Sequence, residues 1–346
     1  MQKKQGGYCV AVVGATGAVG REMIKVLEER DFPVAELRLY ASPRSLGESI
    51  EFKGKGVAVD VLPEDPPDDI DIALFSAGSS VSKKAGPAFV SQGAVVIDNS
   101  SAWRMDRGVP LVVPEVNPDR ALDALSATGK GIVANPNCST IQLVVALKPL
   151  ADAFGLERVV ISTYQSVSGA GQAGIKELSE QVVSLFNNRD LNSSAFPHTI
   201  AFNCIPAIGA ARDDGYTEEE WKLVTETRKI LALPDLRVSP TAVRVPVFAC
   251  HSESVHVQCS RKVTPKQARA ALAQGGGLVI QDRLAENEYP MGGVAAGTDD
   301  VFVGRIRQDP DDDCSLNFWI VADNLRKGAA LNAVQIAEAL DEGLDQ

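Results

Sequence analysis

The residues best suited to chemistry are Asn135-Pro136-Asn137-Cys138-Ser139-Thr140. Before them, Gly131 to Ala134 reads as a short buried strand. After them, Ile141 to Leu150 reads as an apolar helix whose first turn suits Ser139 and Thr140. The spacing therefore places one thiol at a helix N-terminus, where unpaired N–H groups and the macrodipole favour an anion. A thiolate is the nucleophilic form of cysteine. The competing reading is a small buried thiol closing a turn. A nucleophile needs a proton partner, and the chain offers His198, His251 and His256. Spacing alone does not choose among them. His251 shares the strand-like stretch Val243 to Ser260 with Arg244, and in one unbroken strand their odd separation would turn them to opposite faces. Pro246 makes a break plausible, which would let both reach one site.

Cations supply the second group of candidates. Ser100-Ser101-Ala102-Trp103-Arg104 follows a strand pattern at Ala94 to Asp98, at the end where open α/β sheets bind ligands. Glu219 and Lys222 fall three apart on one helix face, which suits either a site or an exposed ion pair.

These residues must be held by elements, and the chain start shows which. Residues 8–13 form an apolar strand, Gly14-Ala15-Thr16-Gly17-Ala18-Val19-Gly20 a glycine turn, and Arg21 to Arg30 an amphipathic helix. Strand, glycine turn and helix open a dinucleotide-binding unit, in which the backbone approaches a pyrophosphate at a helix N-terminus. Further strand patterns at Leu37 to Ala41, Val57 to Leu62, Ile70 to Ser76, Ala94 to Asp98 and around Ile132 predict a doubly wound Rossmann-type parallel sheet. The second strand ends without the acidic residue that holds a ribose 2′-hydroxyl. Ser42, Arg44 and Ser45 stand there instead and suit a 2′-phosphate, which favours NADP, unless Arg44 is only a solvated loop charge.

The second half predicts a strand over Glu157 to Val167, a helix over Ile175 to Asn187 and turn-rich chain over 188–217. A helix over Thr217 to Leu233 starts in a Thr217/Glu220 capping box, and another opens at Thr264. A hairpin at 300–308 and 315–322 and a last helix over Asn324 to Leu340 complete the pattern. A chain of 346 residues is expected to form two domains. Its formal charge of −11 argues against a general nucleic-acid binder. No apolar run has the ~18 residues of a membrane span, and the chain start lacks the pattern of a secretory leader, so a cytoplasmic location is expected. The six cysteines show no metal-ligand spacing, so no metal is expected, and Cys9, Cys250 and Cys259 read as packing thiols in strands.

Taken together, GATGAVG at 14–20, ASPRSLG at 41–47, SSAWRM at 100–105, NPNCST at 135–140, YQSVSGAG at 164–171, EEEWKL at 218–223, RVPV with HSE across 244–253 and ADNLRKGAA at 322–330 resemble the aspartate-semialdehyde dehydrogenase family over essentially the whole chain. Glyceraldehyde-3-phosphate dehydrogenase and N-acetylglutamyl-phosphate reductase are less similar around the cysteine. The resemblance implies Cys138 as acyl-thioester nucleophile, His251 as acid/base, and Asn137 and Gln165 as positioning groups. It implies Arg244 for the substrate carboxylate, Glu219 for its amino group, and Arg104 and Lys222 for phosphate. Gly14, Thr16, Gly17, Ala18, Val19, Ser42, Arg44, Ser45, Ser168, Gly169 and Asn324 would meet NADP(H). The implied reaction is reductive dephosphorylation of L-aspartyl 4-phosphate to L-aspartate 4-semialdehyde, with inorganic phosphate as the other product. The implied architecture is an NADP-binding domain, 1–137 with 325–346, and an α+β catalytic and dimerisation domain, 138–324, with a mixed sheet, acting as a homodimer without nucleic acid or membrane partners. Another acyl phosphate, or a non-catalytic nucleotide-binding paralogue, are the readings it competes with.

Overall fold

The structure, a computed structural model, describes residues 3–4, 6–126 and 128–344. Met1, Gln2 and Gln5, part of the start read as leaderless, lie outside the described residues. The chain divides into two compact units, Met1–Asn137 with Ala329–Gln346, and Cys138–Gly328. The return to the first unit falls at Ala329 rather than at 325. Arg326 is tied to Asp299 at 2.6 Å and the Gly328 N–H donates to the Asp323 carbonyl, so these residues stay with the second unit.

The first unit is built on a seven-stranded sheet: β1 (Tyr8–Val13), β2 (Val34–Ala41), β3 (Ser49–Phe52), β4 (Lys55–Val61), β5 (Ile72–Phe75), β6 (Val95–Asp98) and β7 (Ile132–Ala134). Their order is β3-β4-β2-β1-β5-β6-β7, parallel except for the β3–β4 pair. Every residue of β1 is buried, as expected of a central parallel strand covered on both faces. Helix α1 (Ala18–Glu29) buries Met23, Ile24, Val26 and Leu27, and the C-terminal helix Leu331–Gly343 packs beside it. Helix α2 (Ser79–Ser91) connects β5 to β6 and buries Phe89. The chain diverges to either side of β1, which makes the end of that strand the switch point where such sheets bind ligands. Strand β3 has no counterpart in the sequence pattern. Its hairpin with β4 turns through Lys53 (φ 48°) and Gly54 (φ 74°), a two-residue turn with both central residues at positive φ.

The second unit holds a mixed six-stranded sheet of β8 (Arg158–Gln165), β9 (Arg237–Arg244), β10 (His251–Gln258), β11 (Leu278–Ile280), β12 (Val301–Gln308) and β13 (Ser315–Ala322), in the order β11-β12-β13-β10-β8-β9. Its helices include α3 (Cys138–Phe154), α4 (Gly171–Phe186), α5 (Glu218–Leu231) and α6 (Pro265–Leu272), of which α3, α5 and α6 cover one face of the sheet. Both capping boxes form, Thr217 with Glu220 and Thr264 with Gln267.

Three expectations need correction. The stretch Val243 to Ser260 is not one strand: β9 ends at Arg244, residues 245–250 form a loop containing Pro246, and β10 begins at His251. Cys250 (φ 69°) therefore lies in that loop rather than in a strand, and Cys259 lies just past β10. The last helix begins at Leu331 rather than Asn324, because Asp323 accepts from the N–H groups of Leu325 and Arg326 and a π-helical turn, Arg326–Ala330, intervenes.

Candidate active site

In the second unit three polar side chains stand in a row. Strand β8 runs parallel to β9 with Gln165 opposite Arg244, and antiparallel to β10 with Tyr164 opposite Ser252, so His251 comes next to Gln165. All three belong to the alternating buried set of their strands, at 0% (His251), 1% (Gln165) and 6% (Arg244) exposure. Adjacent strands lie about 4.8 Å apart, so the row spans about 10 Å on one face at one end of the sheet. The break at 245–250 reunites Arg244 with His251, which one continuous strand would have separated.

Helix N-termini supply the next side chains. Cys138 is the first residue of α3, half-buried, and its Cβ lies 2.9 Å from where a Cβ on Gly328 would stand. That close approach requires glycine at 328. Glu219, in the first turn of α5, accepts from Gln165 Nε2 at 3.3 Å and from Lys222 Nζ at 3.0 Å. The expected Glu219/Lys222 pair is therefore not a solvated one: its carboxylate is buried against the middle of the row.

His251 has a defined proton arrangement. The Ser166 N–H donates to Nδ1 at 3.1 Å, which places the proton of a neutral ring on Nε2. Nε2 is buried and has no hydrogen-bond partner among the described residues. Burial first, and the Arg244 charge second, push the imidazole down to about 3, with Glu219 acting in the opposite sense. Arg244 is itself lowered by burial, against the raising influence of Cys138 and Glu219. Gly169 closes the pocket side: a Cβ there would meet Arg244 Nη1 at 2.7 Å and His251 Nε2 at 3.3 Å. Ser166 and Ser168 both donate to Asn324 Oδ1, at 3.0 and 3.1 Å, which fixes the strand end that holds the ring. Of the other histidines, His198 is exposed and His256 meets Asp309 at 3.1 Å on the opposite face of the sheet.

Behind this row lies a carboxyl, the last residue of the HSE motif, to which the sequence assigns no role. Glu253, two residues along β10, is fully buried, and burial pushes it well above the usual carboxylate range, opposed in part by Gln142 of α3. The folded chain thus keeps it protonated while the unfolded chain ionises above 4.5, so its contribution to stability is full below that pH and is lost as pH rises towards the folded value. Glu253→Gln is expected to raise stability increasingly between about pH 5 and 8, by at most about 1.4 kcal/mol per pH unit. Melting curves across that range measure it; a pH-independent difference would show Glu253 to be ionised in the fold.

The first unit carries the remaining candidates. Gly14 follows β1 at φ 87°, and a Cβ there would meet the Ser76 carbonyl oxygen at 2.6 Å. Gly17 is the N-cap of α1, so Ala18 and Val19 open the helix with no side chain capping its N–H groups. Ser45 Oγ donates to Thr16 Oγ1 at 3.2 Å, joining the turn after β2 to the glycine loop, and Ser42 and Arg44 are exposed beside it. Bare helix N–H groups, a backbone that approaches closely, and hydroxyls with a guanidinium at the end of β2 fit a phosphorylated dinucleotide. Arg104 is buried in the loop after β6, donating to the Asn99 carbonyl at 2.8 Å. The turn is organised by Asp98, which accepts from the Ser82 hydroxyl and from the Ser100 N–H and hydroxyl. Asn137 is buried after β7, while Asn135 donates to Asn99 Oδ1 at 2.7 Å and accepts from Asn332 Nδ2 at 2.6 Å.

A dinucleotide-type sheet in one unit, with a thiol, an imidazole and a buried arginine in the other, defines an oxidoreductase of the semialdehyde dehydrogenase class. The family model of the semialdehyde dehydrogenase NAD binding domain matches residues 9–124, and that of the semialdehyde dehydrogenase dimerisation domain matches 147–327. The aspartate-semialdehyde dehydrogenase of Aquifex aeolicus (strain VF5) is 55% identical over 98% of this chain and 99% of its own length. The crystal structure of aspartate semialdehyde dehydrogenase II complexed with ASA from Vibrio cholerae superposes with a TM-score of 0.94 at 49% identity, covering 97% of this chain and 98% of that one. The Candida albicans aspartate semialdehyde dehydrogenase with NADP gives 0.75 at 25% identity, covering 97% and 99%. The chain belongs to the aspartate-semialdehyde dehydrogenase family.

Proposed function

We propose that the chain catalyses the NADPH-dependent reductive dephosphorylation of L-aspartyl 4-phosphate to L-aspartate 4-semialdehyde, reversibly and through a thioester on Cys138, within lysine, threonine, methionine and isoleucine biosynthesis. The observation that carries this reading is the buried row His251, Gln165, Arg244 with Glu219 against its middle. An aspartyl phosphate presents a carboxylate, an ammonium and a phosphate. Arg244 offers the planar fork that binds a carboxylate in two-point fashion, and Glu219 the anion for the ammonium. Lys222 and Arg104 are the cations assigned to phosphate. Asn137 and Gln165 orient the thiol and the acyl group.

In this scheme the Cys138 thiolate attacks the acyl carbon, the acyl–oxygen bond to phosphate breaks, and a thioester forms. NADPH, when bound, supplies the hydride that reduces the thioester carbon. His251 holds its proton at Nε2 and hydrogen-bonds to the oxygen on which charge develops. Collapse of that oxyanion breaks the carbon–sulfur bond, releases the aldehyde and regenerates the thiolate. The proton consumed overall leaves on inorganic phosphate. Gly14 and Thr16 to Val19 would cradle the pyrophosphate, and Ser42, Arg44 and Ser45 the 2′-phosphate. Ser168, Gly169 and Asn324 would also contact the nucleotide.

A homodimer is part of the proposal. Val160 and Tyr164 are exposed on the face of the sheet opposite α3, α5 and α6, and Tyr164 and Trp319 lie 5.3 Å apart, centroid to centroid. Such an apolar surface suits a second copy. A cytoplasmic location is also part of the proposal; among the described residues no helix is long and apolar enough to cross a membrane.

The test is NADPH formation from L-aspartate 4-semialdehyde and NADP, with and without inorganic phosphate. Phosphate-dependent formation is expected. Folded protein that binds NADP yet gives none would overturn the reading in favour of another acyl phosphate or a binding function.

A further inference from the structure

The turn-rich stretch after α4, to which no sequence motif gives a role, is held by two side chains of that helix. Glu177 and Gln181 stand one turn apart and are both buried. Glu177 Oε2 accepts from the N–H groups of Ser194 (2.7 Å) and Ala195 (2.5 Å) and from the Ser194 hydroxyl (3.1 Å). Gln181 Oε1 accepts from the N–H groups of Ile200 (2.9 Å) and Ala201 (3.0 Å), while its Nε2 donates to the Asn192 carbonyl (2.9 Å). Gln181 Nε2 also reaches Glu177 Oε1 at 3.2 Å, which links the two anchors.

What the anchored segment does follows from what it touches. Phe196 is buried with Val167, Leu178 and Ile200, and the Arg244 guanidinium carbon lies 5.8 Å from its ring centroid. Ile205 exchanges both backbone hydrogen bonds with Arg244, each at 2.9 Å. Arg244 Nη1 donates to the Ser166 carbonyl at 2.6 Å. The arginine is thus gripped through its backbone and through one amino group, and its guanidinium carbon stands over the Phe196 ring. A guanidinium reads a carboxylate by the direction of its plane, so whatever sets that plane sets recognition.

We propose that segment 192–205, pinned by Glu177 and Gln181, is the backing of Arg244, and that Phe196 is a positioning residue for recognition of the substrate carboxylate. Burial raises the Glu177 carboxyl, but the N–H donors of Ala195 and Ser194 outweigh it and hold it below its ordinary value, which keeps it an acceptor at neutral pH. The inference rests on the carboxylate role given to Arg244 above.

The test separates two Michaelis constants. Phe196→Leu keeps an apolar filling and removes the ring face. It is expected to raise KM for L-aspartate 4-semialdehyde about tenfold, with kcat within about twofold and KM for phosphate unchanged. Phe196→Tyr keeps the face and is expected to restore the wild-type value. Glu177→Gln is expected to shift the same constant in the same direction, whereas Glu180→Gln, on the exposed side of the helix, is expected to shift nothing. If Phe196→Leu does not fold by circular dichroism, Glu177→Gln carries the test. A packing role alone would lower stability and move all constants together or none, and that result overturns the proposal. Arg244→Lys distinguishes the two levels: an unchanged KM for the semialdehyde breaks the Arg244 assignment and this inference with it. A large rise with Arg244→Lys beside a flat response to Phe196→Leu and Glu177→Gln defeats the inference alone.

Discussion

Cys138→Ala is expected to reduce phosphate-dependent NADPH formation by at least about 10⁴-fold while leaving NADP binding intact. The substitution is structurally mild. Alanine is the best helix former, and residue 138 opens α3, whose buried run continues from Ser139 to Leu147. The close contact with Gly328 involves the Cβ that alanine retains. The glycine cradle at 14–20 and the turn at 42–45 belong to the first unit, and their hydrogen bonds run to Tyr40, Thr16 and Ser42 within it. Loss of the sulfur should therefore remove the covalent step and little else. Nucleotide binding is measured by fluorescence titration, turnover by absorbance, and the acyl-enzyme by intact mass. Turnover within about tenfold of wild type would exclude a thioester on this residue.

The dependence on one atom explains why Cys138 is legible in the amino-acid sequence. A strand, a turn carrying Asn-Pro-Asn, and an apolar helix form a local pattern, and the chemistry of a helix N-terminus follows from backbone geometry alone. The first sheet is legible for the same reason, since β1 and β5 are uninterrupted apolar runs and β6 is one as far as Asp98. Strand β9 is not. Its buried positions after Val238 are Pro240, Ala242 and Arg244, so no apolar alternation marks it, and Pro240 is tolerated because β9 is an edge strand. An arginine standing where a core residue would be hides the strand that presents it. Ser166 escapes notice for a related reason. Its N–H, not its side chain, fixes the histidine, and a backbone donor has no signature in composition. The clamp on 192–205 is a long-range contact between a helix and a loop, a kind of contact that periodicity does not register. Local patterns therefore place the candidate thiol at a helix N-terminus, while the groups around it become visible only through strand register.

His251→Asn is expected to lower kcat by about 10²–10⁴-fold with alkylation of Cys138 still observable. Asparagine can keep a hydrogen-bonding group on β10 but cannot place a donor where Nε2 stands, so the developing oxyanion loses its stabilisation. The pH behaviour makes the prediction sharper. An ordinary histidine titrates at 6.5, whereas burial and the Arg244 charge hold this one at about 3. Wild-type turnover should therefore show no limb from His251 between about pH 5 and 8, because the ring stays neutral and keeps its single proton on Nε2. The same shift has a stability consequence. A depressed folded value means that the unfolded chain binds the extra proton first, so stability is full above 6.5 and is lost as pH falls towards about 3. His251→Asn does not titrate and should be less acid-sensitive in a urea titration at about pH 4 to 5. A limb near 6.5 in wild-type kcat that disappears in His251→Asn would show that the ring titrates at its ordinary value, and activity falling as pH rises through 6.5 would replace the neutral donor with an imidazolium. Wild-type turnover by the variant would remove His251 from the reaction altogether.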